Sequence, residues 1–270
     1  MNFRYLMSIA KKDWVEIRNN KQFLAPLIIL PILLAVVLPL AFSLAIPGTT
    51  QVNMTAADLA SLRLSLHLGS DVPAGTVVFL LLVNDELKPF LLLVPTMFCM
   101  VIASDSIAGE KERKTIESFL VLPLTDREII VGKVLGSLIP ALGASWLSFA
   151  AMGLTINITA GPMLGGQMVV FNDATWWLMM ILLVPTISFM STLFMVLISS
   201  IATNARTAQQ YSIIVILPII ALIISGISNV SILDVGGELI FASIVILVTI
   251  FLAYLTTKNL NREKLVVNLD

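Results

Sequence analysis

Residues Trp176 to Ser200 read WWLMMILLVPTISFMSTLFMVLISS, a stretch with no Asp, Glu, Lys, Arg or His. The hydrocarbon core of a bilayer is about 30 Å thick, and a helix crosses it in roughly 20 residues. A backbone crossing that core meets no water and must satisfy its own N–H and C=O groups, which a helix does. The stretch therefore reads as a transmembrane helix. Similar apolar stretches lie on either side, at Phe23–Ile46, Leu87–Ala108, Gly132–Thr155, Tyr211–Ser228 and Gly237–Thr257. The chain is 58% hydrophobic and 12% charged, whereas ordinary soluble domains carry about 25% charged residues. The expected fold class is all-α: a polytopic integral membrane protein of about six transmembrane helices, one transmembrane domain over residues 1–270. Thr76–Val83 is apolar but too short to span, so it is expected at the outer surface.

Orientation follows from the cations. With the N-terminus inside, all 16 Lys and Arg except Arg63 and Lys88 fall on the inner side. Asp and Glu divide more evenly, as the positive-inside rule allows. The expectation is a multi-pass protein of the cell membrane with both termini cytoplasmic, residues 47–86 as an outer loop and residues 104–131 as a cytoplasmic segment. Within residues 1–21, Phe3, Leu6, Met7, Ala10, Trp14 and Ile17 recur at helical spacing, with Arg4, Ser8, Lys11, Lys12 and Glu16 elsewhere. A cationic amphipathic helix carrying Trp suits the inner membrane surface, with membrane lipid as its partner. An apolar face packed on the bundle is the plainer reading.

The composition also excludes functions. Net charge is −1, so nucleic acid is not an expected partner. The expected spans hold essentially no ionisable groups at mid-depth, where secondary carriers and proton pumps keep theirs; Lys88, Asp105 and Lys133 sit near span ends. The one histidine, His67, lies in the outer loop and Cys99 is the one cysteine, so neither a catalytic pair nor a metal site is expected. Hydroxyls do gather in the spans: Thr96 after Pro95, and Thr186, Ser188, Ser191 and Thr192. They suit either the lining of a polar pathway or the repair of proline kinks, where a hydroxyl satisfies a carbonyl that proline leaves free. Kink repair is the more ordinary role.

Inner-side chemistry concentrates in Asp105–Lys133, which reads DSIAGEKERKTIESFLVLPLTDREIIVGK. Glu110 with Lys114, and Arg113 with Glu117, are spaced as i,i+4 pairs on a helix. Ile116, Phe119 and Leu120 form an apolar stripe, and Pro123 ends the helix. Thr125-Asp-Arg-Glu128 is a capping box opening the next helix, and Gly132 with Gly136 permits close helix approach. A short charged helix clamped between two spans could receive a push from a cytoplasmic partner. It could equally be a salt-bridged loop, and spacing alone does not separate the two.

The pattern Gly109-Glu110-x-Glu112-Arg113-x-Thr115-x-Glu117-x-x-Leu120-x-x-Pro123-x-x-x-Arg127-x-Ile129-x-x-Gly132-Lys133 resembles the segment after the second span in type-2 ABC exporter permeases. It is nearest the branch containing sodium-efflux permeases. The resemblance implies a connecting helix at the N-terminus and a coupling helix over roughly Gly109–Leu120, with Glu110, Glu112, Arg113, Thr115, Glu117, Arg127, Gly132 and Lys133 as ATPase-coupling residues. A minor contact is implied at Ala202–Gln210. It also implies two permease copies assembled with two ABC ATPase subunits. No G-x-x-x-x-G-K-[ST] loop occurs in this chain, so ATP and Mg are expected on the partner subunit, with no cofactor bound here and no enzymatic activity of its own. A non-transporting membrane scaffold that docks a cytoplasmic partner is the alternative.

Overall fold

The computed structural model describes residues 3–45, 55–65, 72–115, 125–161, 168–227 and 235–259, which are helical with short connections and no strand among them. Helix α1 is Phe3–Asn19 and the first span, α2, is Phe23–Leu44. A short helix α3, Ala56–Ser65, follows. Next come α4 (Ala74–Glu112), α5 (Asp126–Ala160) and α6 (Ala174–Ile201). The last two spans are α7 (Ala205–Ser225) and α8 (Val235–Asn259). Among the described residues, helices α2 and α4 to α8 are the six segments long and apolar enough to cross a membrane.

Helices α4, α5 and α6 pack against one another at the centre, and α1 lies along α5. Helix α2 packs on α4 and α5, α7 on α4, and α8 along α6. Burial follows this order: 78% of the most apolar window of α4 is buried, against 22% for α8. The peripheral faces stay apolar, with Ile28, Ile29 and Ile32 on α2 and Ile240, Ile244, Leu247 and Phe251 on α8 exposed. Such faces match a hydrocarbon solvent or a second apolar surface.

Helix α4 starts at Ala74 rather than Leu87, so Thr76–Val83 is its first turns and not a separate surface segment, and residues 74–86 leave the expected outer loop for this helix. Its 39 residues extend about 58 Å at 1.5 Å each, well beyond one hydrocarbon core, which is how one helix holds both an apolar centre and charged ends. The chain widens into π turns at Leu33–Val37, Leu82–Leu87 and Met179–Leu183, each just ahead of a proline: Pro39, Pro89 and Pro185. A proline ring clashes with the carbonyl of residue i−4, and an expanded turn relieves the clash.

Candidate functional site

At the end of the bundle that carries α1, three segments meet: α1, the last turns of α4 and the first turns of α5. The start of α5 is set locally. Thr125 Oγ1 accepts from the Glu128 N–H at 3.3 Å, and Glu128 Oε2 accepts from the Thr125 N–H at 3.0 Å, which is the expected capping box. One and two turns on, Gly132 and Gly136 face α1. A Cβ on Gly132 would lie 2.9 Å from Ile9 Cδ1, and one on Gly136 would lie 3.2 Å from Asp13 Oδ2 and 3.4 Å from Ala10 Cα. Only glycine admits α1 this closely. Pro140 has no N–H to offer the carbonyl of Gly136, and Trp14 Nε1 donates to that oxygen at 2.5 Å. The apolar stripe of α1 (Leu6, Ile9, Ala10 and Ile17) is buried, so protein rather than lipid takes up that face. Tyr5 and Val15 remain exposed.

Helix α4 ends in a second arrangement. The π turn Asp105–Gly109 leads into Glu110–Glu112, and the chain then turns at Lys114, whose φ is 56°. Thr115 N donates to Glu110 O at 2.9 Å and Lys114 N to Lys111 O at 3.0 Å. This pair of bonds is a Schellman stop, with Lys114 where glycine is usual. The expected helix Gly109–Leu120 is therefore interrupted at Glu112, and the Glu110–Lys114 pair does not form. Glu117, with Ile116, Phe119, Leu120 and Pro123, lies outside the described residues, as does the side chain of Arg127.

Glu110 points inward instead. It is 1% exposed; its Oε1 accepts from Lys12 Nζ at 2.5 Å and its Oε2 from Lys133 Nζ at 3.0 Å. Lys133 also donates to the backbone oxygen of Ser106 and to Ser106 Oγ, which donates to Asp13 Oδ2 at 3.0 Å. At the rim, Arg113 donates to both Asp105 oxygens, at 3.1 and 3.4 Å, and pairs with Glu16 at 2.7 Å. Lys111 donates to the Ser200 carbonyl at the end of α6. The Ala108 N–H, freed by the π turn, donates to Ser199 Oγ at 2.7 Å. The expected minor contact lies alongside: Asn204 caps the start of α7 through Thr207 N at 2.8 Å, and Gln209 Nε2 donates to Ser104 Oγ at 3.2 Å.

Burial pushes the Asp13 carboxyl up to about 6, helped by the negative Glu110 and opposed by Lys133, the Ser106 hydroxyl and Lys12. Arg113 loses stability as a cation through burial, but the Asp105 hydrogen bond and charge, with Glu16 and Glu110 behind them, outweigh this and raise its pKa. The cluster thus holds its charges by mutual pairing, and the residues it leaves outward are Glu112, Arg113, Lys114 and Thr115.

Sequence reading missed Asp13 and Trp14 as partners in this cluster. Asp13 falls on the same helical face as Leu6, Ile9, Ala10 and Ile17, and a lone acid on an apolar face is a signal of a buried partner. Proline four residues after Gly136 was the signal for Trp14. Missed too is a buried ion pair at the opposite end, Lys88 with Glu238, 1% and 0% exposed. The spans therefore do hold paired charge, and neither Lys88, Asp105 nor Lys133 reaches out to the surface. Among the described residues no group of His, Cys, Asp and Glu could hold a metal ion.

The hydroxyls of the spans are turned to the backbone. Thr96 donates to Leu92 O at 2.9 Å, Thr186 to Leu182 O at 2.7 Å, Ser188 to Val184 O at 2.6 Å and Ser191 to Ile187 O at 2.7 Å. Thr192 accepts from Ser137 at 3.3 Å. All but the half-buried Thr186 are fully buried. Thr96, Thr186, Ser188 and Ser191 each bond the carbonyl four residues back in their own helix, whereas the carbonyls that Pro95 and Pro185 leave free are those of Leu91 and Ile181. The bonds are therefore ordinary intrahelical ones within packed spans and not kink repair.

The model of the ABC-2 family transporter proteins matches residues 7–234 of the chain. No curated protein is similar enough to count as a match.

Proposed function

Because the chain belongs to the ABC-2 transporter family, the membrane permease component of ABC transporters, we propose that it is the permease subunit of an exporter driven by a separate ATPase. The observation that carries this reading is the cluster at the α1 end. Buried pairs through Glu110 and Lys133 fasten the end of α4 to α1 and to the start of α5, while Glu112 and Thr115 stay exposed at the tip. A push on that tip reaches two spans and α1 together, as rigid-body gating by an external engine requires. By the cation bias this end faces the cytoplasm of a cell membrane. One permease offers one such tip, so two copies with two ATPase subunits form the symmetric assembly. The likeness to sodium-efflux permeases makes sodium the first substrate to assay.

The roles within the segment divide by burial. Glu112, Arg113 and Thr115 present the docking surface. Glu110, Gly132 and Lys133 hold it in place from within, so they act on the ATPase through position rather than contact. Glu112→Arg is expected to insert normally, since it alters only an exposed side chain, and to capture the ATPase about tenfold less well. That corresponds to about 1.4 kcal/mol. Glu112→Gln should lose less. The assays are ATPase pull-down and stimulated hydrolysis in reconstituted membranes. Glu112→Arg with parent-level capture and hydrolysis would overturn the reading.

A further inference from the structure

Opposite the α1 end, the side chains of Lys88 on α4 and Glu238 on α8 form an ion pair sealed from solvent. A charge retained inside a membrane domain is costly and marks a working site by default. Helix α8 packs along α6 and meets α4 only sparsely, so this pair is a strong tie in an otherwise thin seam. The surroundings give both partners a second place to go. The Asp85 and Asp173 carboxylates also bear on the Lys88 charge; Asp85 is three residues back on α4, and Asp173 caps the first turn of α6 through Thr175 N at 2.8 Å. Glu238 sits in the first turn of α8, where the positive end of the helix dipole favours a carboxylate even when water enters. A static tie needs no such alternatives, whereas one that opens in each cycle does.

We propose that Lys88 and Glu238 form a latch holding α8 against α4 at the far end of the bundle, and that they part when that end opens in the transport cycle, with Lys88 passing to Asp173 and Asp85. They are positioning residues for transport, and the proposal rests on the permease reading above. No bond is made or broken and no proton needs to move; one ion pair exchanges for another.

Lys88→Cys with Glu238→Cys, in a Cys99→Ser background, tests it in the whole complex with its ATPase in sealed vesicles. Without nucleotide the two cysteines are expected to be joined by a short bis-methanethiosulfonate reagent, which spans the gap the two longer side chains filled and also reports that the variant has folded. Trapped with ATP and vanadate, cross-linking should fall about tenfold, and a cross-link formed beforehand should abolish vanadate trapping until reductant is added. Equal cross-linking in both states, or none in either, overturns the latch and leaves the permease reading standing. A parent permease that captures no ATPase removes both. The swapped pair, Lys88→Glu with Glu238→Lys, is expected to keep less than half of the stimulated hydrolysis, because the lysine moved to α8 would then lie away from Asp85 and Asp173. Full hydrolysis in the swap would show a mere structural tie.

Discussion

The two ends of this bundle solve the same problem, holding charges inside an apolar protein, with different access to water. At the α1 end the cluster is graded. Glu110 and Lys133 are buried, but Lys12 is 42% exposed and Arg113 and Glu16 are about a third exposed. At the far end both members of the Lys88–Glu238 pair are sealed. Loss of one partner from a sealed pair leaves a charge in low dielectric, while loss of a rim partner lets water take its place. This contrast sets where the protein tolerates change, and it bears on which end docks a partner and which end must stay closed.

The largest effect should therefore come at the far end. Lys88→Met alone is expected to destabilise the protein by about 3–5 kcal/mol, the usual cost of removing one member of a buried pair. Lys12→Met at the α1 end should cost under about 1 kcal/mol, because Lys12 is largely exposed and Lys133 still holds Glu110. Lys88→Met combined with Glu238→Leu should recover most of the loss, since a well-packed apolar pair often replaces a buried ionic one without penalty. Thermal unfolding in detergent checks all three. Similar losses for Lys88→Met and Lys12→Met would erase the contrast between the ends.

Asp13 gives the next effect and a pH signature. Its carboxyl titrates near 6 in the folded protein, above its ordinary 3.8. The folded state therefore holds its proton more tightly than the unfolded chain, so ionisation of Asp13 opposes folding. The opposition is absent below about pH 4, grows between 4 and 6, and is complete above 6. Asp13→Asn should accordingly stabilise the protein at pH 7, by on the order of 3 kcal/mol. That advantage should shrink toward zero as the pH is lowered to 4. Unfolding of both proteins across that range measures it. An advantage that does not change with pH would mean Asp13 is not ionised against its surroundings.

Much of this architecture was readable from residues alone, because it rests on local rules. Six apolar stretches gave the spans, the Thr125–Glu128 box gave the start of α5, and Gly132 with Gly136 gave a close approach. What escaped was non-local. Glu110 carries a good i,i+4 partner in Lys114, yet Lys133 and Lys12 take it, because a carboxylate turned inward interacts far more strongly with the buried Lys133 than an exposed one with an exposed lysine. Lys88 and Glu238 stand near the ends of separate apolar stretches, where nothing local pairs them. Only packing places them together. The docking role of Glu112 and Thr115 is a proposal that pull-down decides.

The smallest effect discriminates between the two readings of the segment after α4. Read as sequence, Gly109–Leu120 is one continuous helix with Lys114 in its interior. There Lys114→Gly would cost about 1 kcal/mol in helix propensity. In the structure the helix stops at Glu112, and Lys114 takes the left-handed conformation at φ 56°, which an L side chain adopts at a cost of roughly 1–2 kcal/mol and glycine does not. Glycine also gives up more unfolded-chain entropy, which offsets part of the gain. The expected outcome is a stabilisation of up to about 1 kcal/mol, a rise of about 2–4 °C in Tm for a protein of this size. Lys114→Ala, which removes the same charge without relieving φ, should show no rise and so serves as the control. The sign alone is decisive. A higher Tm for glycine over alanine places the turn at Lys114 and leaves Glu112 and Thr115 as the tip. A lower one restores the continuous helix, and with it a charged surface that includes Glu117 rather than one ending at Thr115.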